Sequence, residues 1–257
     1  MFYNEINKAE TRKIITRSKV NILGIEFDNF TQKELVHQLI TDNQQHLNRF
    51  VVTANPEIVL AATRDPNYQQ IINHADYVTA DGIGIVKGAQ ILGTPLAERV
   101  TGFDTMQALL QYADQNQKKV YFLGGKPAVI TALKNVIEEK YPHLVIAGMH
   151  NGYFNDEDPI VREIQQVQPD FVFVALGFPK QDFFIAHHRS VANSIWMGVG
   201  GSFDVLTGNV QRAPEFWINH HIEWLFRLIQ EPTRFKRMLA LPRYLFRVYQ
   251  QKFKQKK

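Results

Sequence analysis

Apolar positions along the chain follow two rhythms. In the second half, four short runs are apolar at nearly every position: KVYFLG (residues 119–124), LVIAGM (144–149), FVFVALG (171–177) and SIWMGVG (194–200). A run without a polar face predicts a strand covered on both sides. Between these runs, residues 127–140, 159–167 and 181–191 carry apolar positions at helical spacing. Strands alternating with helices predict an α/β fold, a Rossmann-like parallel sheet with helices on both faces.

The first half follows the same order less regularly. Residues 1–18 read as a leader, and residues 20–27 alternate as one strand. Thr31 and Glu34 stand at capping-box spacing, which predicts a helix over residues 31–43. RFVVTA (residues 49–54) is a short β-branched run, and Asn55-Pro56 behind it starts a helix with proline in its first turn. A further strand at residues 77–79 precedes Asp81-Gly82, and helices are expected over residues 83–92 and 101–116. The strand–helix alternation ends near residue 211, so three segments are expected: a leader, a core over residues 19–211 and a helical appendage over residues 212–257. On this reading the core folds without the appendage.

Charge sharpens the division. Residues 212–257 hold 11 Lys/Arg against 3 Asp/Glu, a net of +8, while the whole chain is +4, which leaves −4 on everything before. The appendage also carries Phe216, Trp217, Trp224, Phe226, Phe235, Tyr244, Phe246, Tyr249 and Phe253. Aromatic and basic residues mixed on one segment fit an anionic membrane surface, with interfacial helices rather than a span. Nucleic acid is disfavoured, because the core adds negative charge. With no cysteine, disulfides and thiolate metal sites are excluded. No stretch has the length and apolarity of a transmembrane helix, and the first residues lack the apolar centre of a secretory signal.

Ligands of doubly wound sheets sit beyond the carboxyl ends of the strands. That rule selects five turns, at residues 53–56, 79–82, 124–127, 177–181 and 198–202. Their glycines, including Gly124, Gly125, Gly200 and Gly201, let backbone N–H groups approach a phosphate. None matches the dinucleotide fingerprint or the P-loop, which argues against an oxidoreductase or a kinase-type site. Asp81 has two readings, a cap for the helix that follows or a base working on a substrate hydroxyl. Thr53 and Asn55 are placed to hydrogen-bond beside it. Asp156-Glu157-Asp158 has the D-x-D spacing of a diphosphate-bound metal, but it stands at a helix start and is read as complementing the dipole. The adjacent pairs His187-His188 and His220-His221 diverge on a helix and are not read as metal ligands. No metal and no cofactor are expected.

Six motifs in order, VVTANPEIV (51–59), TADGIGIV (79–86), ERVTGFD (98–104), FLGGKP (122–127), ALGFPKQD (175–182) and GVGGSFDVLTGNVQRAP (198–214), resemble the WecG/TagA/CpsF glycosyltransferases. The resemblance runs over about residues 20–240 and implies an inverting hexosyltransferase. Its substrates would be a UDP-sugar donor and a GlcNAc acceptor linked to undecaprenyl diphosphate. N-acetylmannosamine is the donor sugar of the teichoic acid branch; its uronic acid or glucose is the alternative for another surface polysaccharide. The resemblance further implies Asp81 as base, Thr53, Asn55, Arg99 and Gln181 as binding residues, and appendage arginines, placed at Arg227, Arg234 and Arg237, that assist catalysis. It also implies homo-oligomers in solution and peripheral attachment to the inner face of the cell membrane from the cytoplasm. A non-catalytic nucleotide- or lipid-binding module is the rival class, one for which Asp81 and Arg99 would be unnecessary.

Overall fold

The computed structural model describes residues 18–211, 213–214, 216–217, 223–230 and 239–255; the side chains of Glu223, Trp224, Arg227 and Gln230 are outside that description. Arg234, Arg237, Phe235 and residues 1–17 of the expected leader also lie outside it.

Six parallel strands form one sheet: β3 (Arg49–Ala54), β4 (Tyr77–Ala80), β5 (Lys119–Gly124), β6 (Val145–His150), β7 (Phe171–Ala175) and β8 (Ile195–Gly198). Their order is β4-β3-β8-β7-β5-β6. Along each inner strand the side chains alternate between two cores. Phe50, Val52, Ala54, Val172, Val174 and Trp196 face one side, and Val51, Phe171, Phe173, Ile195 and Met197 face the other. Both cores are apolar, which is why the strands read as unbroken apolar runs.

The second core is closed by α1 (Gln32–Gln44), α5 (Gly102–Gln115), α6 (Pro127–Lys140) and the short α9 (Ser202–Leu206). The first is closed by α2 (Pro56–Ala62), α3 (Pro66–Asn73), α4 (Ile83–Leu92), α7 (Asp158–Val167) and α8 (Lys180–His188). The helix starts predicted from capping signals are present. Thr31 and Glu34 bond reciprocally at α1, and Asn55 caps α2 by accepting from the Ile58 N–H at 3.0 Å.

Residues 20–27 are not one strand. They form a hairpin of β1 (Lys19–Ile22) and β2 (Ile25–Asp28), turned at Leu23 and Gly24, both at positive φ. A two-residue turn with both centres left-handed matches strand twist, and it hides inside an alternating pattern. The hairpin guards the sheet edge: Asp28 Oδ2 accepts from the Val78 N–H of β4 at 2.9 Å.

The end of the chain departs most from expectation. After a short helix Glu223–Gln230, a C-terminal helix Ala240–Gln255 packs on α2 and α4. Tyr244 and Val248 are fully buried in the first core. The fit is close: a Cβ added to Gly88 of α4 would stand 2.2 Å from the Tyr244 hydroxyl, and one on Gly84 2.8 Å from Leu241 Cδ1. Gln251 accepts from the Leu23 N–H at 2.8 Å and donates to the Asn21 carbonyl at 3.1 Å. Removing residues 212–257 would uncover this apolar face. Tyr244 is part of the core and not an interfacial aromatic. Among the described residues no helix is long and apolar enough to cross a membrane.

Among the described residues the buried Tyr244 hydroxyl has no hydrogen-bond partner, so ring and oxygen act in opposite directions. Tyr244→Ala should cost about 3–4 kcal/mol in urea unfolding through the lost ring. Tyr244→Phe should be neutral or stabilising by up to about 1 kcal/mol, because an unpaired buried oxygen is removed. Equal losses from both variants would mean that the hydroxyl is bonded.

Candidate functional site

A cleft of about 330 Å³ opens at the carboxyl edge of the sheet. Four of the five turns selected from the sequence meet in it, those after β3, β4, β7 and β8. The order β4-β3-β8-β7 makes these strands neighbours, so residues far apart in the chain become adjacent. The fifth turn, carrying Gly124 and Gly125, is not among the lining residues. It follows β5, on the far side of β7. The Gly125 N–H donates to the Ala175 carbonyl at 3.0 Å, and a Cβ on Gly124 would stand 2.3 Å from that oxygen. These glycines therefore serve close packing of one turn against β7, and the structure does not bring them to the cleft.

Asp81 is fixed at the end of β4. Its N–H donates to the Ala54 carbonyl at 2.9 Å, one step beyond the β3–β4 register. The cap reading does not hold: Gly82 is the N-cap of α4, without a side-chain cap bond. The Asp81 carboxylate instead lines the cleft and accepts a long contact of 3.5 Å from the Gly102 N–H. Arg99 comes alongside because the Val100 N–H donates to the Ala80 carbonyl at 3.0 Å, laying that loop over β4. From the other side, the Thr101 N–H donates to Gln32 Oε1 at 3.0 Å. Gly102 is required by the resulting proximity: a Cβ there would stand 2.7 Å from Thr53 Oγ1.

Four helices point their N-termini at the cleft. Asn55, Glu57 and Ile58 belong to the start of α2, Thr101 and Phe103 to that of α5, Gln181 to that of α8, and Gly201 and Ser202 to that of α9. Asn55 and Thr101 use their side chains as caps, whereas α8 and α9 have no side-chain cap. Converging positive dipole ends, with Arg99 among them, make a setting for an anion such as a diphosphate. Gln181 is buried and ties the floor together, its Oε1 accepting from the Gly200 N–H at 3.1 Å. Next to it, Asp182 is 1% exposed and accepts from the Tyr68 hydroxyl at 2.6 Å. Burial pushes its carboxyl up to about 6, against the pull of Tyr68 and the Gln181 amide.

The remaining candidates lie elsewhere. Asp156 Oδ1 accepts from the Asp158 N–H at 3.0 Å at the start of α7, and Glu157 meets His188 at 2.8 Å. None of the three acidic residues lines the cleft. Arg227 lies in the helix Glu223–Gln230, with its side chain outside the description. Glu57, Phe103, Phe178 and Asp182 stand within the six motifs, but sequence alone assigns them no role. Only the sheet order shows that the first three share a cavity. A buried Asp182 has the same sequence signature as an acidic residue favouring a helix start.

A doubly wound parallel sheet with an anion-attracting cleft and a carboxylate at its carboxyl edge defines a nucleotide-type site of the α/β enzymes. The chain belongs to the Glycosyl transferase WecG/TagA/CpsF family, whose sequence profile matches residues 20–257. It is 40% identical over 222 residues to the N-acetylglucosaminyldiphosphoundecaprenol N-acetyl-beta-D-mannosaminyltransferase of Bacillus spizizenii, covering 84% of this chain and 86% of that one. A protein of the same name in Staphylococcus aureus (strain MW2) is 39% identical over 244 residues, covering 93% and 96%.

The approach of α5 to Thr53 gives a direct test of the cleft. Gly102→Ala should lower kcat/KM by about tenfold through displacement of Thr53 and the α5 N-terminus. The unfolding midpoint should move little. Unchanged kinetics would mean that Thr53 does not need its present position.

Proposed function

We propose that the chain is an inverting glycosyltransferase that moves N-acetylmannosamine from its UDP-sugar to GlcNAc-diphosphoundecaprenol, forming a β-1,4 linkage in an early step of wall teichoic acid synthesis. The observation that carries this reading is the meeting of four helix N-termini, Arg99 and one strand-end carboxylate, Asp81, in a single cleft. The names of relatives at 39% and 40% identity support the choice of sugar and acceptor.

In this reading the Asp81 carboxylate takes the proton of the acceptor 4-hydroxyl as that oxygen bonds to C1 of the donor sugar. The bond from C1 to the β-phosphate oxygen breaks on the opposite face, and its electron pair leaves with UDP. Negative charge grows on the diphosphate during this step. Arg99, the helix N-termini and the Gly201 N–H are the groups to stabilise it, because fixed donors reorganise little as the charge develops. Gln181, Thr53 and Asn55 orient the donor. Arg227, Arg234 and Arg237 are assigned to the departing diphosphate, for which guanidinium offers a matching donor fork.

The acceptor is borne on a lipid, and the C-terminal helix supplies a surface for it. Phe246, Tyr249 and Phe253 are 64%, 48% and 68% exposed, at spacings that form one stripe opposite Tyr244 and Val248. Exposed Arg243, Arg247 and Lys254 flank them. Rings that enter a headgroup layer beside cations that meet anionic lipid make a peripheral attachment, here to the inner face of the cell membrane.

Asp81→Asn should lower kcat by about 10²- to 10⁴-fold, the usual worth of a general base, while donor affinity stays near that of the parent. Turnover close to the parent's would remove Asp81 as base. For the membrane reading, Phe246→Ser with Phe253→Ser should weaken sedimentation with anionic vesicles at least about tenfold. Because both rings point away from the core, the unfolding midpoint should hold. Unchanged binding would assign attachment to another surface.

A further inference from the structure

Among the described residues, Asp182 is the one nearly inaccessible carboxylate beside the cleft that the proposed chemistry does not use. Its Oδ2 accepts from the Tyr68 hydroxyl of α3 at 2.6 Å, and its Oδ1 is buried with no hydrogen bond of good geometry. Both Oδ1 and the Gln181 amide nitrogen crowd Gly198 of β8: a Cβ there would lie 3.2 Å from the one and 2.6 Å from the other. The opposite end of the same amide is already committed, since Gln181 Oε1 accepts from the Gly200 N–H. One end of Gln181 thus bonds a backbone donor, and the other lies beside Gly198 together with the unbonded carboxylate oxygen.

We infer that Asp182 is a positioning residue which, as a carboxylate, holds the Gln181 amide with its nitrogen beside Gly198 and its oxygen on Gly200. A carboxylate can only accept, so it favours the –NH₂ end beside Oδ1. Oδ2 already accepts from the Tyr68 hydroxyl, so a proton added to Asp182 is taken up on Oδ1, where it offers a donor to a donor, and the amide then turns or retreats, releasing Gly200 and the loop to Ser202. Tyr68 is the titratable group facing Asp182 from α3, and its own ionisation is pushed up by burial and by Asp182. The sheet strands packed against α8 turn Val52, Val174 and Trp196 to this side. Charged groups on neighbouring elements are engaged elsewhere: Glu163 of α7 accepts from Tyr121, Arg189 pairs with Asp76, and His188 meets Glu157. Burial is thus the chief cause that raises the carboxyl to about 6, within the range where the switch can be read.

The inference rests on the reading that Gln181 orients the UDP-sugar, and the test separates the two. Donor KM and kcat are measured from about pH 5 to about pH 8, with the fold checked by thermal melting at each pH. The parent should show donor KM rising as pH falls through about 6, because the charged form that positions Gln181 is lost. Asp182→Asn keeps shape and presents an oxygen to Gln181 without titrating, so this rise should vanish. Tyr68→Phe removes one donor that favours the carboxylate, so the rise should move to higher pH. A merely structural Asp182 would lower stability without moving the midpoint of that profile. Retention of the rise in Asp182→Asn, or an unmoved midpoint in Tyr68→Phe, overturns the inference; where Asp182→Asn does not fold, Tyr68→Phe decides alone. Gln181→Ala with an unaltered donor KM would instead overturn the assignment of Gln181 to the donor site.

Discussion

The double pairing of β3 governs the rest of the structure. Val51 stands opposite Tyr77 on one side and Met197 on the other, and the ladder toward β4 runs on to Asp81. A parallel strand paired on both sides cannot slip by one residue without turning every side chain to the wrong core. The position of Asp81 relative to Thr53 and Asn55 is therefore set by backbone hydrogen bonds and by two apolar cores, and loop conformation contributes little. The β8 and β7 turns inherit the same precision because they are the next strands in the sheet. The cleft is a property of strand order.

That order explains what could and could not be read from the chain. Local signals translated directly: Thr31 with Glu34, Asn55 with Pro56, and the continuous apolar runs of β5 and β7 each act within a few residues. The same kind of signal stood at Asp65-Pro66, where an aspartate cap precedes a proline and opens α3, and it was passed over. The five-residue α9 has too few turns for a periodic pattern. Non-local relations were out of reach. Nothing in FLGGKP separates it from the other glycine turns until β5 is seen beyond β7. The C-terminal helix misled for a different reason. Its aromatics occupy two faces, and Tyr244 on the buried one resembles Phe246 and Tyr249 on the open one unless helical angle is weighed against the partner surface.

The site also shows how one element serves two needs. Helix α8 begins at the cleft with Gln181 and turns Phe184 and Ile185 into the first core. Its second residue into that core is charged, which an apolar environment tolerates only with partners. Tyr68, stacked on Phe183 at 5.8 Å between centroids, supplies one from α3. A helix pair that looks purely structural thereby carries a polar connection to the wall of the cleft.

The bond between Gln251 and the Leu23 N–H spans 228 residues of chain. During synthesis the hairpin, α2 and α4 emerge well before the helix Ala240–Gln255, which covers the glycine-lined face around Gly84 and Gly88. Between the emergence of α4 and that of the helix Ala240–Gln255, the nascent chain carries an uncovered apolar groove. Contacts of such sequence separation form late, since their loop-closure entropy is met only once the intervening sheet is in place.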